Sequence, residues 1–328
     1  MASGFKQGSS TFGKKDVFLL LFLAIFIVLP LYISISEVNK SKNDFSTVTL
    51  ISHLRLNEGE DVTKRFAAYG YNLSEIKNGD ADVPNLFLER LPRELTDIDD
   101  IDMKKELFIA SLLPPILKVN EYIEYERAKL LQIIRDIEID GKATNPDLYW
   151  LTRKLARYRM DELTPDNLFS SLEELNKRMN IIPPSLALTQ AAIETGWGTS
   201  RFAQQANALY GQWTWDDDTG IIPLEREHGE THSIRRFNNL ISSVEGYALN
   251  LNTHPAYEDF RTERSKFATA EDIVINDDML FTLLYYSERG FEYIDNLNSI
   301  IRENNLYSFD EVKLEQNSFQ DFRSDQAP

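Results

Sequence analysis

A mainly helical body with one small β-hairpin, set behind an apolar N-terminal segment of membrane-spanning length, is the fold class that the sequence predicts. Three observations carry it. From about residue 101 onward, apolar residues recur near a period of about 3.6. One Gly-containing extended stretch, between Gly220 and Phe237, interrupts that pattern, and residues 17–36 run without a charge. Hydrophobic residues make up 42% of the 328 positions, enough for a real core, and a chain of this length has room for about two domains.

Val17–Ser36 reads VFLLLFLAIFIVLPLYISIS, twenty positions without a charge. As a helix at about 1.5 Å per residue it reaches about 30 Å, the thickness of a bilayer's hydrocarbon core. A cleaved signal peptide carries a shorter apolar region ending at small residues, and Tyr32–Glu37 offers no such site. The expectation is an uncleaved, single-pass signal anchor in the inner (cytoplasmic) membrane. Residues 1–16 would then be a cytoplasmic tail and the body would lie in the periplasm. Lysines flank the span on both sides, so this orientation rests on the size of the body after it more than on charge.

Residues 37–100 are polar and weakly patterned, with Gly59, Gly70 and Gly79 as punctuation, and read as a stalk or linker. Residues 101–164 read as a helical extension. In it Leu107–Leu113 forms an apolar run that Pro114-Pro115 should stop or kink, and Ile116 to Ile139 continues the period. Further helices are expected over 147–160 and over 165–179, the latter opened by Thr164-Pro165-Asp166. Pro183-Pro184-Ser185 opens an almost wholly apolar helix over 186–194, which should end at Gly196 in the left-handed position. Two short strands are expected over 221–227 and 231–237. Helices should follow near Ile241, over 278–289 and over 291–304, with a flexible tail over 309–328.

Composition removes several function classes. Lys+Arg 35 against Asp+Glu 52 gives a net charge of −17, which argues against nucleic acid as a partner. The chain has no cysteine and four histidines, so thiol nucleophiles, iron–sulfur clusters and zinc ribbons are excluded. No metal and no cofactor is expected.

Glu194 is the strongest catalytic candidate. It lies on the last turn of the apolar helix, directly before Thr195-Gly196-Trp197-Gly198. The negative end of the helix dipole and apolar surroundings, to which Trp197 contributes, favour the protonated carboxyl. A carboxylic acid held neutral near pH 7 is what a glycosidase needs to protonate a leaving sugar oxygen.

Ala191–Ser200, followed by Asn207-Ala208-Leu209-Tyr210-Gly211, resembles the glucosaminidase domain of glycoside hydrolase family 73, whose pattern is A-x-E-S-G-W-G and then N-N-L-F-G. The match is similar to the membrane-associated, Bax-type members and covers roughly residues 165–308. The resemblance implies a lysozyme-like helical domain with a small β-lobe, and cleavage of the β-1,4 bond after N-acetylglucosamine in peptidoglycan. It implies Glu194 as general acid and Glu225, in Glu225-Arg226-Glu227-His228-Gly229-Glu230, as the second carboxylate, with Glu227 of the same strand parity as the alternative. A distant second carboxylate suits a base activating water, a near one a nucleophile, and the substrate's acetamido group is a third nucleophile. The substrate-binding set read from these segments is Trp197, Asn207, Tyr210, Trp213, Tyr247, Tyr286 and Tyr293, because aromatic rings stack on pyranose faces. Tyr286–Tyr293 resembles the family's Y-A-T-D-x-x-Y segment. Three departures stand out: Thr195 replaces Ser, Ala208 replaces the second Asn, and Gln212-Trp213 replaces Ile-Lys.

The leading reading is a membrane-anchored endo-β-N-acetylglucosaminidase whose partner is the peptidoglycan glycan strand. The alternatives are a non-catalytic wall-binding or scaffold module, an amidase, and a lytic transglycosylase. The last usually shows G-A-x-G-L-M-Q after its Glu, which is absent here.

Overall fold

The computed structural model describes residues 61–164, 166–214, 220–222, 233–267, 269 and 272–315. The expected anchor at 17–36 lies outside them. Among the described residues no helix is long and apolar enough to cross a membrane. They divide into two compact units, residues 128–176 and residues 61–127 with 177–315. The architecture is mainly helical with one small sheet.

The second unit begins with two short helices, α1 (Val62–Ala68) and α2 (Leu73–Lys77), capped by Asp61 and Asn72. They belong to a folded segment. Val62, Phe66, Ile76, Val83, Leu88, Leu91 and Leu95 are buried, so the expected stalk is corrected over 61–100. Alternation there is weak because short helices and turns bury single residues, which leaves no period to read. Helix α3 (Ile101–Asp140) runs without a break through Pro114-Pro115, against the expected stop. The prolines remove two intrahelical donors. Leu112, Leu113, Ile116 and Leu117 around them are buried, and that packing holds the helix together. Residues 128–176 contain the end of α3, then α4 (Asn145–Arg157), capped by Thr144, and most of α5 (Leu168–Arg178). Lys129 and Lys154 both lie over the Trp150 ring there, at 5.0 and 5.5 Å.

Helix α6 (Pro184–Thr195) is buried on nearly every side until its last turn, and it ends at Gly196, φ 56°, as expected. A short α7 (Arg201–Ala206) follows, capped by Ser200. The sheet has three short strands among the described residues: β1 (Trp213–Thr214), β2 (Gly220–Ile221) and β3 (Ser233–Arg235). Their order is β1-β3-β2, and both neighbours run antiparallel to the central β3. Of the strands expected over 221–227 and 231–237, the described parts are β2 and β3, which pair with each other, and residues 223–232 lie outside the described residues. The additional strand is β1, too short for alternation to reveal it.

Asn239 caps α8 (Leu240–Thr253), a 3₁₀ turn at Pro255–Tyr257 leads into α9 (Glu258–Arg264), and α10 covers only Asp277–Phe281. The helix expected over 278–289 thus stops early. Beyond Phe281 the chain turns on i→i−3 bonds, from Leu283 N–H to Leu280 C=O and from Leu284 N–H to Phe281 C=O. Helix α11 (Phe291–Glu303) and a 3₁₀ turn at Leu306–Phe309 end the core.

The expected flexible tail is folded as far as residue 315. Val83 N–H donates to Lys313 C=O (2.8 Å) and Glu315 N–H donates to Val83 C=O (3.0 Å), a parallel bridge between the two ends of the described chain. Asp310 accepts from Ser185 N–H and from Ser185 Oγ, both at 2.7 Å.

Candidate active site

The residues after Glu194 are locked by local geometry. Thr195 Oγ1 donates to Ala191 C=O (2.6 Å) and accepts from Gly198 N–H (2.8 Å), which ties the loop back onto α6. A serine hydroxyl makes the same two bonds, so the Ser-to-Thr departure is conservative. Gly196 and Trp197 both take left-handed backbone, an uncommon state for a tryptophan. A β-carbon on Gly198 would stand 2.9 Å from Leu95 Cδ1, 3.0 Å from Phe108 Cδ2 and 3.2 Å from Leu91 Cδ1. The glycines of E-T-G-W-G are therefore required for turn conformation and for close approach.

Glu194 keeps solvent-accessible surface, yet protein crowds its carboxyl. Accessible area registers the open side of a cleft, whereas the density around the carboxyl governs its proton. Burial pushes the Glu194 pKa up, and the positive charge of Arg289 pulls against it. Gly211 brings backbone against the acid: a β-carbon there would lie 3.2 Å from Glu194 Oε2.

Five tyrosines surround this carboxyl or support it. Tyr210 and Tyr247 stack with ring centroids 3.8 Å apart and planes 8° apart. Tyr247 Oη donates to Gln190 Oε1 (2.5 Å), and Gln190 Nε2 donates to Tyr293 Oη (2.8 Å). Tyr293 stacks with Tyr286 at 5.6 Å, and Tyr286 lies 5.9 Å from Tyr257. Tyr286 Oη donates to Tyr210 C=O at 3.4 Å. Burial raises the pKa of Tyr257, Tyr286 and Tyr293, and the charge of Glu194 adds to each shift.

The sequence-predicted set divides accordingly. Tyr286 stands half-buried beside Glu194, while Tyr210, Tyr247 and Tyr293 are buried behind it with their faces against protein. Asn207 is buried as well. It ends α7 in left-handed backbone and donates from Nδ2 to Phe237 C=O (3.1 Å), which places it in the scaffold. The Trp197 ring meets Phe108 edge-on at 5.6 Å, with Lys105 above it at 5.3 Å. Its packing partners are on α3. Trp213 is exposed on β1. Glu225, Glu227 and Glu230 lie outside the described residues. Sequence reasoning missed Tyr257 and Arg289 as neighbours of Glu194. Tyr257 carries no motif, and Arg289 lies inside the 286–293 segment, which is legible only for its aromatic residues. Among the described residues no group of three or more His, Asp or Glu is placed to hold a metal ion.

Comparison with known proteins bears on this site. Residues 170–306 match the glucosaminidase family, described as mannosyl-glycoprotein endo-beta-N-acetylglucosaminidase. The chain is 29% identical over 201 residues to Protein bax of Escherichia coli (strain K12), covering 61% of this chain and 70% of that protein. Among solved structures, the catalytic domain of the autolysin Auto from Listeria monocytogenes aligns at 19% identity and a TM-score of 0.29, over 55% of this chain and 97% of that one. The matched segment 170–306 contains Glu194 and all five tyrosines of the cluster. Residues 170–306 are therefore similar to a glucosaminidase domain, and the chain is a glycoside hydrolase.

Proposed function

We propose that this enzyme is an endo-β-N-acetylglucosaminidase that cuts the glycan strands of peptidoglycan, with Glu194 as the general acid. The observation that carries the reading is the position of Glu194: last turn of a buried helix, carboxyl crowded enough for its pKa to rise, one side open to solvent. There it protonates the glycosidic oxygen as the bond to N-acetylglucosamine breaks. The lysozyme-like reading fits an acid at a helix end with a small sheet nearby in sequence. Glu225 completes the carboxylate pair in this proposal, on the strength of its place in the family-like segment. Tyr286 and Tyr257, the half-buried rings beside the acid, supply the stacking faces. The body works in the periplasm, held by the uncharged span at 17–36 as a single-pass anchor.

Digestion of purified sacculi tests the reaction. The proposal expects new reducing N-acetylglucosamine ends. Anhydro-muramyl ends would indicate a lytic transglycosylase, free stem peptides an amidase, and binding without products a scaffold. Glu194→Gln should lower turnover by roughly 10²–10⁴-fold, the usual scale for general acid catalysis, while the protein stays folded. Near-normal turnover by a folded Glu194→Gln protein would remove Glu194 from the role.

A further inference from the structure

Arg289 lies in the turn before Gly290 and α11, with its side chain 43% exposed. Its guanidinium is 5.9 Å from the centroid of the Tyr293 ring. Its ion pair with Glu292 is a single 3.8 Å contact to a carboxylate that is itself 72% exposed. A pair of that length and exposure holds a guanidinium weakly and leaves most of its donor fork open. That same Tyr293 accepts from Gln190 Nε2 (2.8 Å), one helical turn before Glu194 on α6, and the positive charge favours the ionised Glu194 carboxylate. For proton donation that is a handicap, since it works against the desolvation that keeps the acid protonated.

We infer that Arg289 is an anion subsite beside Glu194 that binds a carboxylate of the glycan strand, a specificity-determining role that rests on the glucosaminidase reading above. A further observation supports it. The whole chain carries a charge of −17, which repels an anionic polymer unless local cations offset it. An arginine fork matches a carboxylate with two parallel hydrogen bonds. That carboxylate is the lactyl group of a peptide-free muramoyl residue or a carboxylate of an attached stem peptide. Binding it also engages the charge that opposes Glu194. The acid then holds its proton to higher pH in the complex than in the free enzyme. The other titratable and charged groups described around this pair are Glu292, Tyr257, Tyr286 and Tyr293.

Equilibrium binding on a Glu194→Gln background, which removes turnover from the readout, tests the subsite with three ligands. These are an uncharged N-acetylglucosamine oligomer, peptide-free glycan strands and peptide-bearing strands. Arg289→Gln should weaken binding of at least one carboxylate-bearing ligand about tenfold, the scale of losing one charge-assisted contact, and leave the neutral oligomer within about twofold. Arg289→Lys should recover part of the loss. The strand that shows the loss identifies the carboxylate: lactyl for the peptide-free strand, stem peptide for the peptide-bearing one. In the otherwise wild-type enzyme the alkaline limb of kcat should lie above that of kcat/KM for such a strand, and Arg289→Gln should close that gap. Equal losses on neutral and charged ligands, no loss on either, or no binding by the Glu194→Gln protein would overturn the subsite. Failure of the wild-type enzyme to release reducing N-acetylglucosamine ends would instead overturn the glucosaminidase reading, and the binding contrast would still decide Arg289.

Discussion

In the proposed role Glu194 has to hold a proton at a pH where an ordinary glutamate has lost it, and its neighbours divide on that point. Crowding at the end of α6 favours the proton, and Arg289 opposes it. A general acid works while protonated, so kcat/KM should fall as pH rises through the Glu194 pKa. The direction of the shift puts that limb above the ordinary value of 4.5. A pH–rate profile checks this, and a limb at or below 4.5 would contradict it. The folded state binds the Glu194 proton more tightly than the unfolded chain, so the charged carboxylate weakens the fold as pH rises. Glu194→Gln should consequently melt no lower than wild type at pH 8. Gly211 makes a sharper test of the space around the acid. Gly211→Ala would put a methyl 3.2 Å from Glu194 Oε2 on backbone of positive φ, and should lower kcat more than tenfold by displacing the carboxyl by about 1 Å.

At the scale of elements, α6 depends on what caps its two ends. Its N-terminus begins Pro183-Pro184 with no side-chain cap of its own, and Asp310 supplies one from 125 residues away. Burial pushes the Asp310 pKa up to about 6, even though Ser185 donates to it twice. A folded pKa above the unfolded 3.8 means that the stability tied to this group is fully present below 3.8 and is lost as pH rises through about 6. Asp310→Ala leaves the buried Ser185 donors unpaired, at about 1–3 kcal/mol. The gap in melting temperature between wild type and this variant should be largest below pH 3.8, narrow through pH 5 and be smallest above about pH 6. At the other end, Thr195→Ser should keep the loop, whereas Thr195→Val strips Gly198 N–H of its buried acceptor. Valine should cost about 1–3 kcal/mol in denaturant unfolding, with serine much closer to wild type.

On the scale of the whole molecule, the loop after Glu194 leans on residues outside the matched segment 170–306. Leu91, Leu95 and Phe108 close over Gly198, and Gln204 Nε2 donates to Pro92 C=O at 3.2 Å. A fragment limited to 170–306 loses all four of these contacts and Asp310. It should be cleaved in limited proteolysis under conditions where 61–328 resists, and should lose its glycan hydrolysis. The anchor is a separate question, tested by fractionation and a periplasmic reporter fused after Pro328. The reporter should be active while the protein stays with the membranes, and a soluble chain beginning near Glu37 would refute the anchor.

The helical class, the start and stop of α6, and Glu194 at its end were legible in the sequence, because each depends on chemistry a few residues long. Proline opens the helix, apolar residues bury it, and glycine takes the left-handed position after it. The rest depended on partners distant in sequence. Pro114-Pro115 reads locally as a break, and only burial on both sides explains a continuous α3. Residues 61–100 read as a stalk because their apolar positions follow no period, although their partners include Leu314 and Gly198 far along the chain. Tyr210, Tyr247 and Tyr293 read as sugar-stacking rings, and tertiary packing made them the buried support of Tyr286. Composition cannot distinguish a ring that faces a groove from one that faces the core. Arg289 beside Glu194 is likewise a product of folding, since 95 positions separate them and charge acts through space, whatever the order of the chain.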